Sequence, residues 1–81
     1  MIRIYADFNN CAEDGRVRLN TMGSRKDIEK HKDLMREGLR VILYTPKELD
    51  VEAVLCFDEI WCAIPDYDTL VYTDGSEEPS V

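Results

Sequence analysis

The sequence predicts a mainly β domain with one helix, folded as a small β-barrel in the order β-β-α-β-β-β-β. Three observations carry this reading. Apolar and polar residues alternate in several short stretches, turn-forming residues separate them at close intervals, and only one stretch has the cap and charge order of a helix.

The first strand is the clearest. Ile2, Ile4, Ala6 and Phe8 share one face, and Arg3, Tyr5 and Asp7 share the other, which is the period of a half-buried strand. Residues 9–15 are a loop by composition, with a turn at Glu13-Asp14-Gly15. Alternation resumes over residues 16–20, which are expected to return as the second arm of a hairpin. A helix follows, with Ser24 as its N-cap, Asp27 and Glu29 near its start, and Lys30, Lys32 and Arg36 toward its end. Gly38 is a natural stop because glycine accepts positive φ. The apolar stripe of this helix is thin, comprising Ile28, Leu34 and Met35, so most of its circumference is expected in water.

Residues 39–44 form the next strand, and Pro46-Lys47 begins a turn. Leu49, Val51, Ala53, Leu55 and Phe57 then alternate with Asp50, Glu52, Val54 and Cys56. Asp58-Glu59 separates that strand from residues 60–64, and residues 69–73 give a last short one. In layout this resembles a small barrel of the SH3-like or OB type, with the helix one connection earlier than in a typical OB-fold. Residues 1–73 make the single domain, and residues 74–81 are expected to be a disordered acidic tail.

At 81 residues the core is near the lower limit of self-sufficiency, so a staple or a partner subunit is expected. Disulfides are not the expected staple, since the cysteines are the odd set Cys11, Cys56 and Cys62 and no apolar leader precedes the first strand. The chain therefore reads as cytoplasmic with reduced thiols. No apolar run approaches the ~20 residues needed to span a bilayer, so no membrane partner is expected. Residues 1–47 hold ten basic and seven acidic side chains, a balance of +3. Residues 48–81 hold no basic and ten acidic ones, giving −10 and a net charge of −7. That excess disfavours general nucleic-acid binding. In a barrel, however, early and late strands can be neighbours and cancel the asymmetry in space.

Four groups of residues invite a functional reading. If Asp58-Glu59 is a two-residue turn, Phe57 faces Ile60 and Cys56 faces Trp61. Cys56 and Cys62 then point to opposite faces and share neither a metal nor a disulfide, whereas a three-residue turn pairs them directly. The polar face of the first hairpin places Arg3 and Tyr5 opposite Arg16 and Arg18. With Ser24 and Arg25 at the helix start, this is a candidate anion site for a phosphorylated ligand or nucleotide. The ordinary alternative is cross-strand pairing of these arginines with carboxylates. Asp66-Tyr67-Asp68 has the opening of a calcium loop but lacks the glycine and distal glutamate, so solvated turns are the default and no metal is expected. His31 has no catalytic neighbours in sequence.

The last group is the outer face of the central strands. With Val41, Leu43, Leu49, Val51, Leu55 and Phe57 inside the barrel, Ile42, Tyr44, Val54, Cys56, Trp61 and Ala63 point outward. Either the helix covers that surface or another molecule does. No catalytic or cofactor-binding grouping emerges. The expected function is a non-enzymatic protein-interaction module, self-associating or an accessory subunit, with Trp61, Tyr44, Ile42 and Val54 as the contact surface and acidic residues as the rim. Anion binding at the arginine hairpin is the alternative. Acidic mimicry, occupying a nucleic-acid-binding protein, comes third.

Overall fold

The computed structural model describes residues 1–73; the expected acidic tail lies outside the described residues. It contains β1 (Arg3–Tyr5), β2 (Val17–Arg18), α1 (Met22–Lys30), β3 (Arg40–Thr45), β4 (Leu49–Asp58), β5 (Ile60–Pro65) and β6 (Val71–Tyr72). Single turns of 3₁₀ helix at Lys32–Leu34 and Tyr67–Thr69 join these elements. The order is β-β-α-β-β-β-β. Five strands form a curled mixed sheet, β1-β3-β4-β5-β2, and β6 pairs with the first residues of β4. The curl makes a half-barrel.

Its concave side is the core. Ile4, Val17, Val41, Leu43, Val51, Ala53, Leu55 and Ala63 are all buried there, one from every second position of their strands. Ala6 and Leu19 complete the buried cluster, and Ile28 of α1 and Met35 pack against it.

The expected N-terminal hairpin does not form. β1 instead runs parallel to β3, with Ile4 beside Leu43, and β2 runs antiparallel to β5, with Val17 opposite Ala63. Burial explains this: the mostly apolar β3 and β5 offer Ile4 and Val17 a covered face, which two short strands paired with each other would lack. The chain leaving β1 still returns to β2, but through its loop. Arg18 N donates to Asn10 O (2.9 Å) and Ala12 N to Arg16 O (2.8 Å), so residues 10–12 lie along the outer edge of β2.

The helix also differs from expectation. Its N-cap is Thr21, whose Oγ1 accepts from Ser24 N at 3.2 Å, and Ser24 sits inside the first turn, fully buried. It ends at Lys30 and not near Gly38, with His31 leaving helical geometry at φ −113° and ψ 22°. A single apolar residue, Ile28, holds the C-terminal half of α1 on the core, too little to extend the helix through residues 31–37. Leu34 is left largely exposed. Gly38 does adopt positive φ (86°), where its N–H donates to Leu55 O on the approach to β3.

α1 packs beside β1 and seals its edge, so it does not lie over the outer face of the sheet. Asp27 Oδ2 accepts from Tyr5 N at 2.8 Å, and the Ser24 hydroxyl donates to Tyr5 O. Both outward backbone groups of Tyr5 are thus satisfied by side chains spaced three apart on one helix face. The edge is protected without another strand.

Candidate functional site

The hairpin between β4 and β5 decides where the candidate side chains point. Its register pairs Asp58 with Ile60, Phe57 with Trp61, Cys56 with Cys62 and Leu55 with Ala63. Glu59 alone turns the chain, at φ 67°. Against the two-residue turn expected from sequence, β5 has slipped by one position, and each of its side chains has changed face. Ala63 is buried and Ile64 is half exposed, as that slip requires.

Trp61 therefore leaves the outer face. It turns to the concave side, packs on the core and meets Phe57 edge to face, with ring centroids 5.1 Å apart. Phe57, expected inside the barrel, stands at its open end with 50% of its surface exposed. The two rings form one wall of a groove of about 540 Å³. Leu19, Asn20, Glu59 and Ile60 also line it, together with Arg25, Ile28 and Glu29 of α1. Each element has a local reason to be there. The capping interaction at Thr21 fixes the start of α1, Ile28 anchors the helix to the core, and the tight turn at Glu59 swings both rings toward it.

Ile42, Tyr44 and Val54 do remain on the outer face, but apart from Trp61. Tyr44 is held by its own neighbours: its hydroxyl donates to Asp27 Oδ2 at 3.0 Å, its ring meets Tyr5 edge to face, and the Arg3 guanidinium lies 4.9 Å from its centroid. Burial, and then the hydrogen bond to Asp27, push the Tyr44 phenol above its ordinary pKa, so the neutral donor is the form that belongs here.

The candidate anion-binding residues are dispersed. Arg3 makes a bidentate pair with Asp50 at 2.9 and 3.1 Å. Arg16 lies between Asp14 (2.7 Å) and Asp58 (3.3 Å), and Arg18 donates to Cys11 O. Ser24 is buried against Tyr5, and Arg25 lines the groove. Arg40 bridges Glu52 and Asp66, each at 2.7 Å. Arg3, Arg16 and Arg40 thus pair with carboxylates from residues 48–66, and the asymmetry of charge along the sequence is partly cancelled in space.

Asp66, read as a possible calcium-loop position, instead caps the Tyr67–Thr69 turn by accepting from Asp68 N at 3.2 Å. The ion pair with Arg40, and then this cap, hold its carboxyl below the ordinary range. Among the described residues, no cluster of three or more His, Cys, Asp or Glu has metal-binding geometry, and no helix is long and apolar enough to cross a membrane.

No protein-family model, curated protein or solved structure matches the chain. Sequence reasoning picked out Trp61 but missed Phe57, which ends a regular alternation and so looked like core. The acidic Asp58-Glu59 pair beside it was the available sign of a strand end near solvent.

Proposed function

We propose that this protein is a non-enzymatic interaction module that binds an apolar side chain of a partner protein in the groove between α1 and the β4–β5 turn. The observation that carries the reading is the half-exposed Phe57 ring set edge to face against Trp61 in a concave, largely apolar setting. A large exposed aromatic costs solvation unless something covers it, and aromatic pockets ringed by polar residues are where binding energy concentrates. Two carboxylates, Glu29 and Glu59, and one guanidinium, Arg25, stand around the groove. With the chain at −7 overall, the fitting partner segment carries a basic residue next to its apolar anchor.

Trp61 is the only tryptophan, so its emission reports on the groove directly. The test titrates the protein with short peptides carrying a central Leu or Phe flanked by Lys or by Glu, and sedimentation over a range of concentrations measures self-association. The expected result is a blue shift of Trp61 emission with the Lys-flanked peptides, lost in Phe57→Ser, which still unfolds cooperatively at a modestly lower midpoint. Self-association abolished by Phe57→Ser would identify a second copy as the occupant. The proposal fails if no peptide moves the emission and the protein stays monomeric, or if Phe57→Ser binds as well as the native chain.

A further inference from the structure

On the convex face of the same hairpin, away from the groove, the observed register brings two thiols together. Cys56 and Cys62 are direct cross-strand partners, so their side chains leave the sheet on one side. Cys62 is buried at 4% exposure, and Cys56 is partly accessible.

The backbone fixes which kind of pair they form. Leu55 N donates to Leu39 O, on the β3 side, and Glu52 O accepts from Asp66 N, on the β5 side. The even-numbered residues of β4 therefore direct their backbone groups toward β5, and Cys56 and Cys62 occupy a hydrogen-bonded pair. Such pairs hold their Cα atoms ~5.5 Å apart, inside the ~4.4–6.8 Å span that a disulfide bridges. The third cysteine does not compete on this face. Cys11 bridges to Val17, whose side chain is in the core, and it packs against that core from the concave side.

The surroundings separate the roles of the two sulfurs. Burial, and then the neighbouring Cys56, raise the Cys62 thiol above its ordinary pKa. Its Sγ is 3.6 Å from Ile60 O, to which it donates. Cys56 is the partner within reach of solvent, and the nearby Arg16 guanidinium is paired with Asp14 and Asp58. A partly exposed thiol with a buried second thiol directly opposite is the arrangement of a nucleophile and its resolving partner.

We propose that Cys56 and Cys62 form a reversible dithiol–disulfide couple, oxidised by exchange with a low-molecular-weight disulfide such as oxidised glutathione. The Cys56 thiolate, having lost its proton to solvent, attacks one sulfur of glutathione disulfide. That S–S bond breaks, a Cys56–glutathione mixed disulfide forms and one glutathione thiolate leaves. Cys62 then gives up its proton and attacks the Cys56 sulfur, forming the Cys56–Cys62 bond and releasing the second glutathione. The two protein thiols are oxidised by two electrons in total, and one glutathione disulfide is reduced to two thiols. The reaction reverses with excess reduced glutathione. It does not depend on what the groove binds.

The test equilibrates the folded, fully reduced protein in glutathione buffers from reducing to oxidising, then quenches with acid. Free thiols are counted in denaturant, and peptides are mapped by mass. The expected count falls from three to one, with the loss carried by a Cys56–Cys62 cross-link that reduced glutathione reopens. Cys11→Ser should keep the cross-link, and Cys62→Ser should stop at a glutathione adduct on Cys56. Cross-links through Cys11, stable glutathione adducts in the native chain without a Cys56–Cys62 bond, or a bond formed only after denaturation would overturn the proposal.

Discussion

Replacing Asp27 by alanine tests how the helix and the sheet are joined. Its carboxylate accepts from Tyr5 N at 2.8 Å and from the Tyr44 hydroxyl at 3.0 Å, both partly buried. Hydrogen bonds to a charged acceptor contribute ~1.5–3 kcal/mol each, and a buried donor left without a partner costs ~1–3 kcal/mol. Water reaches part of this site once the carboxylate is gone, so the expected loss is about 2–4 kcal/mol for the pair. A domain of this size has only ~4–12 kcal/mol in hand, and each kcal/mol moves its melting point by ~4–8 °C. Urea unfolding at neutral pH is the assay, read as a shift in midpoint at constant slope. Asp27→Asn keeps one oxygen in place and should lose roughly half as much. Combined with Tyr44→Phe, Asp27→Ala should show a coupling of ~0.5–3 kcal/mol, because the two residues share a bond. A loss under ~0.5 kcal/mol for Asp27→Ala, the range of an ordinary surface change, would refute the argument that this residue seals the edge of β1.

Two further predictions test neighbouring features. At Gly23 an added Cβ would stand 2.8 Å from Tyr5 Cδ2 and 3.0 Å from its Cγ, in a ring packed edge to face against Tyr44. Gly23→Ala gains up to ~1 kcal/mol in helix propensity but forces overpacking of ~1–3 kcal/mol, so urea unfolding should show a net destabilisation; a more stable variant would show that Tyr5 moves freely. Asp66 has its folded-state pKa depressed by Arg40, so its contribution is fully present above the ordinary value of 3.8 and is lost as pH falls through the lower folded value. The acid limb of a stability–pH curve should therefore flatten in Arg40→Gln; an identical limb in both proteins would remove Asp66 from the acid response.

The parts of the fold legible in sequence are those where one local pattern has one physical meaning. Alternation in residues 2–8 and 49–57 gave the strands, and Ile4, Ala6, Val51, Ala53 and Leu55 are buried accordingly, whereas Phe57 at the end of its run is half exposed. The pairing of strands was not legible. Arg3 and Tyr5 against Arg16 and Arg18 made a sensible hairpin by proximity along the chain, yet β1 and β2 each gained more by docking on a longer apolar strand. Asp27 was misread for a related reason. An acid early in a helix satisfies the macrodipole from sequence alone, and nothing local shows that its carboxylate reaches a backbone N–H twenty-two residues earlier.

The groove and the thiol pair both hang on one torsion. Glu59 adopts φ 67°, a conformation that glycine or asparagine would have signalled and that glutamate does not. With Glu59 there, the turn has one residue between its last paired positions, and the strand beyond it shifts by one. That single step sends Trp61 and Ala63 to the concave side and Cys62 to the convex side. It separates Trp61 from Tyr44, Ile42 and Val54, joins it to Phe57, and aligns Cys56 with Cys62. A left-handed glutamate is uncommon, and strain of ~1–3 kcal/mol persists only where the surrounding pairing overdetermines it. Here the pairing is six residues deep on both sides, from Ala53–Pro65 to Asp58–Ile60, and it places buried Ala63 opposite buried Leu55. The two-residue alternative would still place Asp58, Glu59 or both at positive φ, and it exposes Ala63 and forces Ile64, half exposed at present, into a core already filled by Leu55 and Val17. The core sets the register, the register strains the turn, and the strained turn presents the aromatic pair.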